Sequence, residues 1–145
     1  MGMYTELVLA AKIKNDAEAI DILNYMLGNT EIEPKLPQHA LFKTERWTFM
    51  LRTESAYFDG ITHSELRREV YYDNETVYFL TVRTNLKNYG SEIEHFLDWL
   101  NPYIETRGFL GYTRYEECAD PTLIYKNNES IYMGAIAFDA GGEHK

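Results

Sequence analysis

Histidine and carboxylate side chains are the first candidates for acid–base chemistry or metal binding in this chain. The four histidines, at positions 39, 63, 95 and 144, share no metal-binding spacing. Only His63 lies near a plausible partner set, with Asp59, Glu65 and the turn at Gly60. Because closeness in sequence is not hydrogen-bonding geometry, an exposed loop histidine is the favoured interpretation. The rival interpretation is a hydrolase built from loop groups such as Asp59, His63 and Glu117.

The single cysteine, Cys118, has no sequence signature of a catalytic nucleophile. A reactive thiol needs a neighbouring base or positive charge, whereas Cys118 stands among Glu116, Glu117 and Asp120. With Asn127, these acids could offer oxygen ligands to Mg²⁺ or Ca²⁺, but their spacing is not that of an EF-hand. One cysteine also excludes an internal disulfide. We therefore predict neither a metal nor another cofactor, and the sequence favours a protein that is not an enzyme.

Charge narrows the range of partners. The chain has 14 basic and 23 acidic residues, a net charge of −9, and its one arginine pair, Arg67-Arg68, alternates between the two faces of a strand. Like charge repels phosphate, so direct nucleic-acid binding and adhesion to anionic membranes are not expected. The segment Gly108-Phe109-Leu110-Gly111 lacks the third glycine and the following helix that a phosphate-binding loop needs.

Aromatic residues are the one compositional excess, at 14% of the chain with 12 tyrosines. Most lie on or beside predicted strands, which favours strand propensity and core packing as their explanation. The sharper alternative is a ligand pocket or a protein interface, because tyrosine and tryptophan combine apolar area with a polar group. Trp47 is a candidate for such a site. Acidic residues among the aromatic residues, such as Glu116, would favour cationic ligands.

Length and composition indicate one globular domain. The 145 residues are 45% hydrophobic and 26% charged, which is ordinary globular usage. The longest uncharged apolar stretch near the start covers residues 7–11, too short for a signal sequence or a membrane span, so we expect a cytoplasmic protein. We predict a single domain over residues 1–140 and a frayed tail over 141–145, where no apolar residue anchors the chain.

Hydrophobic periodicity predicts an α+β fold. A first helix follows Asn15, whose spacing to Glu18 fits a capping box, and it ends at Gly28. A second helix follows Ser91, which has the same spacing to an acid, and Pro102 ends it. The prediction is two helices packed on a six- to seven-stranded, mainly antiparallel sheet. Its strands are predicted at residues 4–13, 47–52, 64–72, 75–86, 109–117, 122–125 and 130–138.

A two-residue hairpin turn at Asp73-Asn74 sets the predicted faces of the sheet. In that register Val77 and Phe79 face the helices, and the opposite face of the hairpin is apolar but uncovered. Two helices cannot cover both faces of so large a sheet, so either the sheet curls into a partial barrel around the uncovered face or a second subunit covers it. The residues predicted to form this self-association surface are Tyr71, Tyr78, Leu80 and Val82. A one-residue error in register would exchange the two faces.

Two segments of the chain resemble each other. Asn74-Glu75-Thr76-Val77-Tyr78 and Asn128-Glu129-Ser130-Ile131-Tyr132 match in kind at five positions, each just after a predicted turn. The order of elements around them is consistent with tandem βαββ units, which would make the sheet ferredoxin-like or curl it into a small barrel. The alternative is that the same turn-then-strand chemistry occurs twice.

The tandem order, the length and the acidic, aromatic-rich composition resemble the bacterial effector-binding domains of the gyrase-inhibitory-protein class. That resemblance implies a small antiparallel barrel that binds hydrophobic cations. No stretch of this chain matches a sequence motif of that family, so the resemblance transfers no site residue.

Three functions follow from these observations. The leading one is a homodimeric or otherwise protein-binding accessory protein, because apolar sheet surface is left over and tyrosine is abundant. The second is a small-molecule effector-binding domain with an aromatic, acidic pocket for hydrophobic cations. The third, an acidic inhibitor of a nucleic-acid-binding protein, rests on net charge alone.

Overall fold

The computed structural model describes residues 3–135, which form an α+β fold of two α-helices on a six-stranded antiparallel sheet. The predicted fold class is therefore confirmed. The end of the predicted last strand, residues 136–138, and the predicted frayed tail lie outside the described residues. In chain order the elements are β1 (Thr5–Ile13), α1 (Ala17–Met26), β2 (Glu65–Val70), β3 (Thr76–Leu86), α2 (Glu92–Leu100), β4 (Gly108–Tyr115), β5 (Thr122–Asn127) and β6 (Ser130–Ala135).

The sheet is open, with the strand order β2-β3-β1-β4-β5-β6. β1 lies near its middle, paired with β3 on one side and β4 on the other, which agrees with its apolar residues on both faces. Within residues 3–135, β2 and β6 are the two edges and the sheet does not close into a barrel. The barrel implied by the family resemblance is therefore not formed by this part of the chain.

One face of the sheet carries the hydrophobic core, and we call it the covered face. Side chains alternate between faces along a strand, so every second residue of β1 and β3 lies here. Both helices and the segment 41–51 pack against these residues in a single cluster. Its fully buried members include Leu7, Leu9, Leu80, Val82, Leu23, Phe96 and Leu100. Removal of this apolar area from water is the main force that holds the helices on the sheet.

The first helix begins one residue later than its predicted cap. Asp16, not Asn15, is the N-cap residue, and its carboxylate accepts a hydrogen bond from the Ala19 amide at 3.0 Å. The predicted stop is confirmed, because Gly28 takes a φ of 79°, a conformation that costs glycine little.

The second helix is also capped differently from the prediction. Ser91 precedes it in the left-handed conformation and makes no side-chain cap bond. Asn88 Oδ1 accepts a hydrogen bond from the Ile93 amide at 2.8 Å instead. Pro102 ends the helix as predicted, since the chain continues as a short 3-10 turn over Asn101–Tyr103.

The strand predicted at residues 47–52 is wrong. The segment forms consecutive turns closed by backbone hydrogen bonds. Trp47, Met50 and Leu51 are buried while Phe49 is 40% exposed, which is the spacing of a helical turn and not of a strand. An apolar run this short fits both the period of a strand and the period of a helix. Packing of Trp47 against Tyr25 on α1 accompanies the turn conformation.

Loss of that strand also removes the predicted duplication. The observed order is β1-α1-β2-β3 followed by α2-β4-β5-β6, so the second half has no strand of its own before its helix. The two matching segments share only local chemistry, because Asn74 and Asn128 both take positive φ angles, of 67° and 54°, at the turns before β3 and β6.

The β2–β3 hairpin has a register one residue away from the predicted one. Tyr71 and Glu75 are joined by a backbone hydrogen bond, so the loop has three residues, the last of which is left-handed Asn74. Glu69 therefore lies opposite Val77, and not opposite Tyr78. The predicted faces of β3 are also wrong: Leu80 and Val82, which pair with Ala11 and Leu9 of β1, lie in the core under the helices, and Val77 and Phe79 belong to the opposite face.

Candidate functional site

The face of the sheet turned away from the helices, which we call the open face, holds most of the features that could bind a ligand or a partner. Ala10 on β1 and Thr81 on β3 lie opposite each other at its centre, and both are exposed. Neither helix packs there. Three features share this face: an aromatic band on β4–β6, a buried ionic cluster crossed by a loop, and a groove on β2–β3.

The aromatic band consists of Phe109, Tyr112, Tyr125 and Tyr132. Phe109 lies opposite Tyr125 in the sheet, and Tyr125 lies opposite Tyr132 with the two rings 5.8 Å apart and nearly parallel. Phe109 is 64% exposed and Tyr132 is 45% exposed. Large aromatic side chains held this far in water are more typical of an interaction surface than of a core.

The ionic cluster consists of Glu6, Arg83 and Arg114, on the three neighbouring strands β1, β3 and β4. Glu6 is 2% exposed, and its two carboxylate oxygens lie 3.4 Å from Arg83 Nη2 and 3.4 Å from Arg114 Nε. The arginine side chains remain 41% and 34% exposed. A buried carboxylate needs such partners, since an unpaired buried charge is strongly destabilising.

The loop from Thr53 to Thr62, here called the lid, crosses the open face above this cluster. Its base is closed by a hydrogen bond from Thr62 Oγ1 to Thr53 O at 2.6 Å. Phe58 is 7% exposed and its ring lies 5.0 Å from the Arg114 guanidinium, a cation–π contact. Gly60 lies so close to Arg83 that a Cβ atom there would overlap the guanidinium group. The lid therefore covers both arginines.

A groove of about 460 Å³ lies on the open face at the β2 edge. It is lined by Glu65, Arg67, Glu69, Tyr71, Phe79 and Thr81. Arg67 pairs with Glu65 at 3.1 Å, and among residues 3–135 Glu69 has no ion pair within 4 Å. The groove thus combines two aromatic rings with a carboxylate that lacks a cationic partner.

A buried lysine on the covered face serves the end of α2. Lys126 is 2% exposed, and its ammonium group donates to Asn101 O at 2.7 Å and to Ile104 O at 2.8 Å. Burial lowers the pKa of Lys126 below its usual value, with the nearby Arg107 guanidinium acting in the same direction. Both acceptors are backbone carbonyls at the end of a helix, so this side chain is a cap and not a reactive amine.

The residues predicted for a binding site lie in different parts of the fold. Trp47, Leu80 and Val82 are buried in the core, so their side chains are closed to a partner. Tyr78 is half-buried against the same core. Tyr71, which is 42% exposed, lies in the β2–β3 groove. Glu116 accepts a hydrogen bond from the Tyr4 amide at 2.6 Å, where β1 begins.

The residues weighed for catalysis are mostly exposed. His63 Nε2 lies 3.6 Å from Glu65 at the surface, and Asp59 and Glu117 form no ion pair with it. Cys118 is exposed. The described part of the chain holds no group of three or more metal-ligating side chains.

The ionic cluster was not identified from the sequence. Glu6 and Arg114 are 108 positions apart and meet only because β1 pairs with β4. The available signal was a charged residue, Glu6, next to the apolar run at 7–11, since a carboxylate on a central strand requires a cationic partner.

Comparison with protein-family models, with curated proteins and with solved structures finds no match for this chain. No helix among residues 3–135 is long and apolar enough to cross a membrane.

Proposed function

We propose that this protein is a binding protein that self-associates, and that two copies meet through the open faces of their sheets. The aromatic band carries this proposal. Phe109 and Tyr132 hold large apolar surfaces in water on a sheet face that no helix covers, and a second copy would remove them from solvent.

The size of the open face fits a dimer. Six strands about 4.8 Å apart and about 20–30 Å long make a face of roughly 500–800 Å². A stable interface buries about 800 Å² per partner, so the contact has to include the outer surface of the lid, where Tyr57 and Ile61 are exposed, as well as the aromatic band.

The charge of the open face also favours a second copy. The whole chain carries a net charge of −9, which opposes contact between most parts of two copies. The open face is close to neutral: its strands carry Lys12, Arg67, Arg83 and Arg114 against Glu6, Glu65 and Glu69, and the lid that crosses it adds Glu54 and Asp59. Self-contact through this face therefore avoids the repulsion present elsewhere.

Sedimentation equilibrium at micromolar concentration tests the proposal. We expect a mass of twice 17.0 kDa for the natural chain. Phe109→Lys and Tyr132→Lys place a charge in the band at exposed positions, and each should return the mass to that of one chain. Tyr72→Lys, at the fully exposed tip of the β2–β3 hairpin, makes the same change away from the band and should leave the dimer intact. A natural chain that sediments as a monomer would contradict the proposal.

The β2–β3 groove favours a second candidate function, the binding of a hydrophobic cation. Phe79 and Tyr71 offer ring faces, and Glu69 offers a carboxylate beside them. The volume of about 460 Å³ lies within the range of small-molecule sites.

Thermal unfolding with tetraphenylphosphonium tests this second candidate. Ligand that binds the folded state raises the Tm, and Glu69→Gln should reduce that rise. Glu75→Gln, at an exposed carboxylate just after the hairpin loop and outside the groove lining, should not. An equal rise in both variants would mean that the cation binds elsewhere.

A further inference from the structure

We propose that the ionic cluster under the lid is a binding site for a small carboxylate ligand that carries a hydrogen-bond donor next to its carboxylate, such as a hydroxy acid or an amino acid. The site is separate from the aromatic band, and the proposal does not depend on self-association.

Arg83 and Arg114 have N–H donors that Glu6 does not use. Each guanidinium has five N–H donors, and each is shown with one contact to Glu6, at 3.4 Å. Tight ion pairs of this type have N···O distances of about 2.7–2.9 Å. Two positive groups thus share one negative group loosely, and both stay more than a third exposed. A second carboxylate would balance the charge and could be bound in the bidentate manner that guanidinium favours.

An unsatisfied acceptor lies beside the two arginines. Asn85 is directly opposite Glu6 in the β1–β3 pairing and is 3% exposed. Its side-chain oxygen is buried and has no hydrogen-bond partner among the described residues. A buried acceptor without a donor is costly, and most such groups in native proteins are satisfied. A ligand hydroxyl or amine beside the carboxylate would supply the donor that Asn85 lacks.

The lid is placed to open over this site. Its ends are held together by Thr62 and Thr53, as in compact surface loops, which are frequently functional. Phe58 is its one buried side chain, whereas Tyr57 and Ile61 are 60% and 77% exposed. Lifting Phe58 from Arg114 and Gly60 from Arg83 would uncover both guanidinium groups.

Nuclear magnetic resonance of the arginine side-chain N–H groups tests the proposal directly. Lactate and glycine supply both the carboxylate and the donor, acetate supplies the carboxylate alone, and chloride at the same ionic strength is the blank. We expect lactate or glycine to shift the Nε–H signals of Arg83 and Arg114 saturably, with acetate binding about tenfold more weakly because it leaves Asn85 unsatisfied.

Variants locate the site. Arg83→Gln and Arg114→Gln should each abolish saturation at the remaining arginine, and Arg114→Lys should keep part of it. Arg68→Gln removes an exposed arginine of β2 that lies on the other face of the sheet, so it should leave the titration unchanged. Shifts no larger than those with chloride, or shifts that survive Arg83→Gln and Arg114→Gln, would overturn the proposal. Tighter binding of inorganic phosphate than of any carboxylate would overturn the assignment of the ligand.

Discussion

At the scale of single residues, Lys126 shows how one side chain ties the second helix to the sheet. Its two hydrogen bonds reach Asn101 O, which also accepts from the Ile104 amide, and Ile104 O, and both carbonyls lie where the helix ends. Lys126→Met keeps the apolar stem but removes both hydrogen bonds, and Ile104 O then stays buried with only a 3.5 Å contact from Arg107 Nη1. We expect the free energy of unfolding to fall by about 2–4 kcal/mol, measured by urea denaturation. Lys14→Met, at an exposed lysine after β1, is the control and should change little.

The lowered pKa of Lys126 predicts a dependence of stability on pH. The folded protein releases this proton below the pH at which the unfolded chain does, so between the two values the unfolded state holds more protons. Stability from this residue therefore rises with pH as the pH passes from the lowered pKa toward the ordinary value. We expect the stability lost in Lys126→Met to be larger near about pH 10 than near about pH 7. An equal loss at both pH values would contradict the lowered pKa.

Gly111 is a second position where adding a single carbon atom should change the free energy of unfolding. It lies at the bulge between β4 and β5, and a Cβ atom there would overlap the carbonyl oxygen of Val8 on the neighbouring strand. Gly111→Ala should therefore lower the free energy of unfolding by about 2 kcal/mol or more, measured by chemical denaturation. Gly134→Ala on β6 is the matched control, because its Cβ would meet no atom within 4 Å. Similar losses at the two glycines would show that backbone freedom, and not overlap with Val8, accounts for the effect.

At the scale of secondary-structure elements, the N-terminus of α1 offers a test between two adjacent residues. The Asp16 carboxylate accepts the Ala19 amide and also places negative charge at the start of the helix. Asp16→Ala should reduce the free energy of unfolding by about 1 kcal/mol in urea denaturation. Asn15→Ala removes the cap suggested by the sequence alone and should change it by less than about 0.5 kcal/mol. The reverse order of effects would restore Asn15 as the cap.

Elements with long, regular patterns could be predicted from the sequence, and those set by packing could not. The apolar stripe of α2 fits only a helix, and the long runs of β1 and β3 fit only strands. Residues 47–52 fit both a strand and a helical turn. The turns are accompanied by contacts of Trp47 with Phe42 and with Tyr25, which is distant in sequence.

The faces of the sheet and the ionic cluster were harder to predict for the same reason. One extra loop residue, Tyr72, shifts β2 by one position along β3, whereas packing of the helices on Leu80 and Val82 decides which face of β3 is buried. Glu6 meets Arg83 and Arg114 only when β1 pairs with both β3 and β4. These pairings join residues far apart in sequence, so no local sequence pattern predicts them.

At the scale of the whole molecule, the two halves of the sheet differ in how they meet solvent. The β2 edge is charged, with Glu65, Arg67, Arg68 and Glu69 in six residues, which discourages the addition of another strand. β6 has no charged residue over Ser130–Ala135, and it carries Tyr132 of the aromatic band. The uncharged, aromatic surface thus lies on the β4–β6 half, which concentrates the expected contact with a second copy there.

This asymmetry leads to a prediction about how stability depends on protein concentration. If two copies join through their open faces, unfolding is coupled to dissociation, so the Tm rises with concentration. A hundredfold increase in concentration adds about 1.4 kcal/mol per chain, which corresponds to a rise in Tm of roughly 3–6 °C for a domain of this size. Differential scanning calorimetry measures this rise, and Phe109→Lys should abolish it while Tyr72→Lys preserves it. A Tm that does not change with concentration in the natural chain would mean that the aromatic band is exposed in a monomer, and would favour the β2–β3 groove as the binding site.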